Sequence, residues 1–159
     1  MADLTPLKGM QLEHLHMRLA HQVADLSPLA GMPLEHLDFG VTGVTDLKPL
    51  KGMPLKRLIL YTTRVTDLAP LRGMALEELS VAHCGRVTDL APLRGMPLQR
   101  LWWGGSAVSD LSPLKGMPLK EICCDFQRER DAEFLRSFTT LEKINGKPAA
   151  EFWKEEDGK

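Results

Sequence analysis

The sequence is poor in the features that announce most functional classes. It has no excess of either charge: 20 Lys and Arg stand against 21 Asp and Glu, a formal net charge of −1. A nucleic-acid binder ordinarily carries a basic surplus, so the composition argues against that role. No run of 18 or more apolar residues is present and no signal-peptide core opens the chain, so no membrane span or export signal is expected. Cysteine occurs three times, at Cys84, Cys123 and Cys124, the last two adjacent. An odd, partly adjacent set is no disulfide framework, and free thiols in a reducing, cytoplasmic setting are the expectation. Aromatic residues are only 6% of the chain, with a single tyrosine. Phosphate loops, metalloprotease helices and nucleophile elbows are missing too. No enzyme activity and no cofactor are expected.

What the chain has in excess is leucine, 27 of 159 residues, or 17%. A core so rich in one residue suggests one packing problem solved many times. The repeat is plain. Asp-Leu-x-Pro-Leu-x-Gly-Met begins at Asp3, Asp25, Asp46, Asp67, Asp89 and Asp110, at spacings of 22, 21, 21, 22 and 21 residues. Each copy continues as Leu-x-x-Leu-x-apolar, as in Leu34, Leu37 and Phe39 or Leu98, Leu101 and Trp103. A fixed period of this length signals stacked coils that bury leucine only against one another. Alternation in the second half predicts a strand with one buried face. The Asp suits the start of a helical turn, Pro its first turn, and Gly the left-handed residue that ends it.

These motifs resemble the leucine-rich-repeat family, L-x-x-L-x-L-x-x-[N/C/T]-x-L, and within it the short bacterial internalin type, over roughly residues 3–145. Two departures stand out. The usual ladder Asn is replaced by Ala20, Thr42, Thr63, Cys84, Ser106 and Gln127, and the copies at Ala20 and Cys84 carry one extra residue before the next Val. The resemblance implies an α/β fold: a right-handed solenoid with a parallel concave sheet and short helical or 3-10 turns on the convex side. It also implies a protein-binding concave face.

The two ends read differently. Asp131 is expected to cap an amphipathic helix, Leu141 and Ile144 to form a last partial strand, and Pro148 to open a helix that folds Phe152 and Trp153 over the final coil. This divides the chain into a solenoid, 1–147, and a capping helix and tail, 148–159. The N-terminal end looks uncapped. Either Met1–Leu7 frays, or another chain or a preceding domain covers it, with the chain then expected to be the C-terminal part of a larger bacterial protein. Self-association through that end is a second expectation, and a purely structural spacer role a third.

Alternation places the non-leucine strand residues on the solvent face, and the resemblance makes that face concave. Ile59, Tyr61 and Trp102 stand there, with Phe126 extending the patch and Arg57, Glu78, Arg100 and Glu121 as a charged rim. Ser80, His83, Cys123 and Asp125 complete the candidate partner-binding set. An apolar centre with a charged rim is how protein-binding hot spots are built. Trp103, next in sequence, falls in the leucine column and is assigned to the core, as are Cys84 and Cys124, read as small apolar residues. His14, His16, His36 and Asp38 form a two-by-two array that could hold a divalent metal such as zinc or nickel. A basic column, Lys8, Lys51, Arg72, Arg94 and Lys115, sits where cations favour the carbonyl ends of helical turns. The reading that combines these is a non-enzymatic protein-interaction module.

Overall fold

The computed structural model describes residues 3–158. Met1 and Ala2, expected to fray or be covered, lie outside the described residues, while Thr5–Leu7 already forms a 3-10 turn. Six three-residue strands follow at the repeat period: β1 His14–His16, β2 His36–Asp38, β3 Arg57–Ile59, β4 Glu78–Ser80, β5 Arg100–Trp102 and β6 Glu121–Cys123. They pair in parallel with their nearest neighbours, and β7 (Lys143–Ile144) continues the stack. On the opposite side of each coil is a 3-10 turn, for instance Ser27–Leu29 or Ala91–Leu93. The chain thus climbs one strand spacing, about 4.8 Å, per repeat.

The repeat residues build each corner as their chemistry requires. In all six copies the Asp Oδ1 accepts the backbone N–H two residues on, at 2.7–2.9 Å. The Asp lies one residue before the Leu that caps the turn, so it acts as an Asx-turn feeding the helix rather than as the cap itself. Pro occupies the first turn, where an N–H would go unpaired. The Gly closing each turn has φ between 74° and 80°, a conformation L side chains enter at a cost of roughly 1–2 kcal/mol.

The corner after each strand is less expected. Leu19, Val41, Thr62 and His83 are also left-handed, at φ 55–62°. For the β-branched Val41 and Thr62 this is strained backbone. The stack holds it there: each of the four N–H groups donates to a carbonyl of the next coil at 2.7–3.0 Å.

Between the corners lies a single continuous core. Leu29, Leu34, Leu50, Leu55, Leu58, Leu71, Leu76, Leu79, Leu93, Leu98 and Leu101 are fully buried, and Trp103 is 2% exposed. Burying one such side chain stabilises by about 1.5–3 kcal/mol. Cys84 is buried as expected but is not simply apolar, because its Sγ donates to the Leu60 carbonyl at 3.1 Å and meets Thr63 Oγ1 at 3.3 Å.

The C-terminal segment departs from the sequence reading in three ways. Helix α1 spans Arg128–Arg136, so it starts three residues before Asp131, with Gln127 as N-cap. Asp131 is instead inside the first turn and 1% exposed, and its Oδ2 accepts the Gln127 N–H at 2.8 Å. It serves the cap by reaching back, paired with Arg130. Second, a hairpin follows β7: β8 (Lys147–Pro148) pairs antiparallel with it through Asn145 and Gly146, at φ 51° and 79°. Third, Phe126 does not join the concave patch. It packs edge-on against Phe152 and Trp153 of helix α2 (Ala149–Asp157), with ring centroids at 5.1 and 5.8 Å. Arg136 lies 4.2 Å over the Trp153 ring. Phe152 and Trp153 are therefore folded onto the last coil.

The Asp corners carry a pH dependence. The carboxyl of Asp3 is held below the ordinary 3.8, first by the Thr5 hydroxyl; those of Asp25 and Asp110 are held down first by the Ser27 and Ser112 N–H groups. A depressed folded value means the stabilisation is complete above 3.8 and is lost as pH falls through the lower folded values. Melting temperatures should therefore drop below about pH 4, and Asp25→Ala with Asp110→Ala should flatten that drop while lowering the neutral melting temperature. An acid limb of unchanged steepness in the double variant would remove these corners as its cause.

Candidate partner-binding face

The strand positions at one residue in two point away from the core, and the register sets which of them are neighbours. His36, Arg57, Glu78, Arg100 and Glu121 run side by side on β2 to β6, as do Asp38, Ile59, Ser80, Trp102 and Cys123. The register therefore places Arg57, Ile59, Glu78, Ser80, Arg100, Trp102, Glu121 and Cys123 on one face, whereas Tyr61, His83 and Asp125 lie beyond the strand ends and Phe126 packs in the C-terminal cap. Their exposure differs from the expectation. Ile59 and Glu78 are each 5% exposed and Ser80 6%, so these three support the face more than they present it.

Glu78 is buried because two guanidinium groups close over it. Arg57 Nε lies 3.1 Å from Oε1 and Arg100 Nε 3.0 Å from Oε2. The arginines come from the flanking strands, so the triad ties three coils across the sheet. Each arginine spends one edge of its fork on Glu78, and both side chains are still partly exposed (38% and 52%). The triad carries one net positive charge.

Tyr61 and Trp102 do not form one patch. Tyr61 leans back over β2: a Cβ built on Gly40 would lie 2.0 Å from its ring. The glycine is the cradle for the ring. Arg18 caps the arrangement, 5.7 Å from the Tyr61 centroid and 2.6 Å from Asp38 Oδ2. Asp38 Oδ1 also accepts the Gly40 N–H at 3.1 Å. Arg18 and Gly40 were not among the candidate site residues, although a glycine beside the chain's one tyrosine on the same column was the available signal.

Trp102 stands apart. It is half-buried, in register with Ser80 and Cys123, and its ring meets no other aromatic ring among the described residues. The backbone beyond it carries no side chain at Gly104 or Gly105. His83 lies against Gly105, and Asp125 Oδ2 accepts the Gly105 N–H at 2.6 Å. These contacts fix the loop that follows β5 against the two neighbouring coils. A cleft of about 180 Å³ at the starts of β5, β6 and β7 is lined by Gln99, Arg100, Lys120, Glu121, Glu142 and Lys143.

The His/Asp array is not a metal centre as placed. Among the described residues, no group of three or more His, Cys, Asp or Glu is arranged to hold an ion. His14 and His36 stack face to face, centroids 4.4 Å apart and planes 2° apart. Parallel rings direct their nitrogens side by side rather than toward one point, and Asp38 is committed to Arg18. The thiols are no better suited to nucleophilic chemistry. Burial first, then Asp131, pushes Cys124 up to about 12, and burial followed by Asp125 and Glu121 raises Cys123.

Two outcomes follow from these placements. At neutral to mildly alkaline pH, a thiol reagent should modify Cys123 alone, more slowly than a free cysteine, with Cys84 and Cys124 reacting only on denaturation. Rapid modification of all three would contradict the burial. Gly40→Ala should lower the melting temperature by evicting the Tyr61 ring, and Tyr61→Ala in the same chain should recover part of the loss. A double-mutant cycle measures the coupling, and strictly additive effects would show that the ring does not rest on Gly40.

No family model matches the chain, and no curated protein matches it by sequence. Solved structures do. An internalin (InlF) from Listeria monocytogenes strain 4b F2365 superposes with a TM-score of 0.70 at 27% identity, over 77% of this chain and 38% of its own. An internalin C2 (InlC2) of the same strain gives 0.63 at 24% identity, over 84% of this chain and 70% of its own. The chain thus spans little more than a third of InlF. No helix among the described residues is long and apolar enough to cross a membrane. The stacked parallel strands, the 3-10 turns at the repeat period and these superpositions together make the chain a leucine-rich-repeat solenoid of the internalin-like type.

Proposed function

We propose that the chain is a non-enzymatic module that binds a protein or peptide on the open face of its sheet, with Trp102 as the anchor. The observation that carries this reading is the half-buried indole itself, left without a ring partner on a face where every inner coil buries its leucines elsewhere. Aromatic and arginine side chains dominate binding hot spots, and Arg100 lies beside Trp102 on the same strand face with much of its guanidinium free. Gly104, on the same side of the chain two residues on, adds no side chain beside the ring. Glu121 and Cys123 border it on β6, and Arg57 extends it across Glu78. The sheet is held by its own stacking, so little ordering is needed on binding, which favours affinity.

The test uses binders selected from a displayed peptide and small-domain library on the wild-type chain and re-measured on variants. Trp102→Ala should weaken them by at least about fivefold, or about 1 kcal/mol, with the melting temperature nearly unchanged. Trp103→Ala, one residue on, should instead lower the melting temperature by about 10 °C through loss of a core side chain. Binders indifferent to Trp102→Ala, or a large stability loss in that variant, would overturn the assignment.

A further inference from the structure

Glu78 is a carboxylate buried on the open face of a sheet, with an arginine on each flanking strand. A buried ion pair is poor evidence of stabilisation, because desolvating the charges offsets their attraction. What this one does fix is direction. A guanidinium is a rigid planar fork of five N–H donors. Tying Nε to Glu78 sets the plane in which the other four lie. Among the described residues, neither Arg57 nor Arg100 has a further hydrogen-bond or ion-pair partner for its side chain. The charge is unbalanced as well. One carboxylate shared by two arginines cannot neutralise both, and the row does not supply a second. Glu121, on the far side of Arg100, is itself followed by Lys143. The cleft at the starts of β5, β6 and β7 has Arg100 in its wall and the same surplus, with Lys120 and Lys143 against Glu121 and Glu142.

We infer that the partner met on this face is a peptide segment carrying an acidic side chain two residues from an apolar one. The carboxylate takes the free N–H groups of Arg100, and the apolar group rests against Trp102. Glu78 is a positioning residue: it aims Arg100, and Arg57 keeps it from cancelling the charge of Arg100. The inference rests on the reading of Trp102 as the anchor. Three features select this occupant. Free guanidinium N–H groups in a fixed plane suit a carboxylate, and such charge-assisted bonds are among the stronger ones. The single net positive charge of the triad matches a carboxylate, whereas a phosphate group brings about −1.5 to −2. Arg100 and Trp102 are two residues apart on one strand face, about 6.6 Å along the chain. Side chains at i and i+2 of an extended peptide share a face at that same separation.

The test takes linear peptides selected by display on the whole chain and keeps those weakened by Trp102→Ala. Each is synthesised with acetylated and amidated ends, once with its acidic residue and once with the corresponding amide. The kept peptides should share an acidic residue two positions from an apolar one, and the amide version should bind about tenfold more weakly. Arg100→Gln, at an exposed side chain, should abolish the difference between the two versions. Glu78→Gln makes the face more positive by one charge, yet should weaken the acidic version more than the amide version. A tighter acidic version on that variant would show that net charge decides, and would overturn the positioning role. Equal binding of the two versions to the wild-type chain overturns the proposal. So does a set of Trp102-dependent peptides without an acidic residue, or binding that requires a phosphate group or a free C-terminal carboxylate. If no selected peptide depends on Trp102, the anchor reading falls and this inference with it. If peptides depend on Trp102 but not on the acid, this inference alone falls.

Discussion

No coil in this chain can bury its own leucines, and the rest of the structure depends on that constraint. A single 21- or 22-residue turn has an apolar inside and two open edges, and only a neighbour in parallel register closes them. Register is enforced twice, by backbone bonds between strands and by identical columns meeting identical columns. The left-handed corners at Val41 and Thr62 show how strongly. A conformation costly to each residue alone is held because its N–H is aimed at a carbonyl of the next coil. The same logic makes the ends different from the middle. The C-terminal end breaks the repeat and lays two helices and three large rings over the last coil, while β1 is paired on one side only among the described residues.

Stacking also decides what the open face can be. Once leucine, valine and methionine columns satisfy the core, strand residues pointing outward are free of packing, which is why they vary from copy to copy. They are not free of one another. Neighbours in a column sit about 4.8 Å apart, close enough for Arg57 and Arg100 to enclose Glu78 and for Tyr61 to settle on Gly40. The face therefore divides into parts tied up in cross-strand contacts and a part, around Trp102, that is not.

How much of this was legible in the sequence varies by residue. The strands, turns and core columns follow from spacing, and Trp103 was placed in the core by its column alone. The corner role of each Asp and Gly followed from local chemistry. The hairpin at Asn145–Gly146 had a signal that went unused, since Asn-Gly is the favoured pair for a two-residue turn with both φ positive. The start of α1 was misplaced because Asp131 resembles a cap while acting from inside the first turn. Ile59, Ser80 and Glu78 were on the right face, but their burial depends on how neighbouring side chains lie, which alternation does not encode.

The sequence by itself determined the repeat, the fold and the face on which a partner could be met, because a six-fold period with fixed Asp, Pro, Gly and Leu positions admits one way of closing the core. Tertiary structure decided which residues on that face are available. It turned Tyr61 toward Arg18, drew Phe126 into the C-terminal cap, closed two arginines over Glu78 and left Trp102 half-buried without a ring partner. The physical reason is that core columns are set by position within one coil, whereas side chains on the open face are set by their neighbours in adjacent coils, some 21 residues away along the chain.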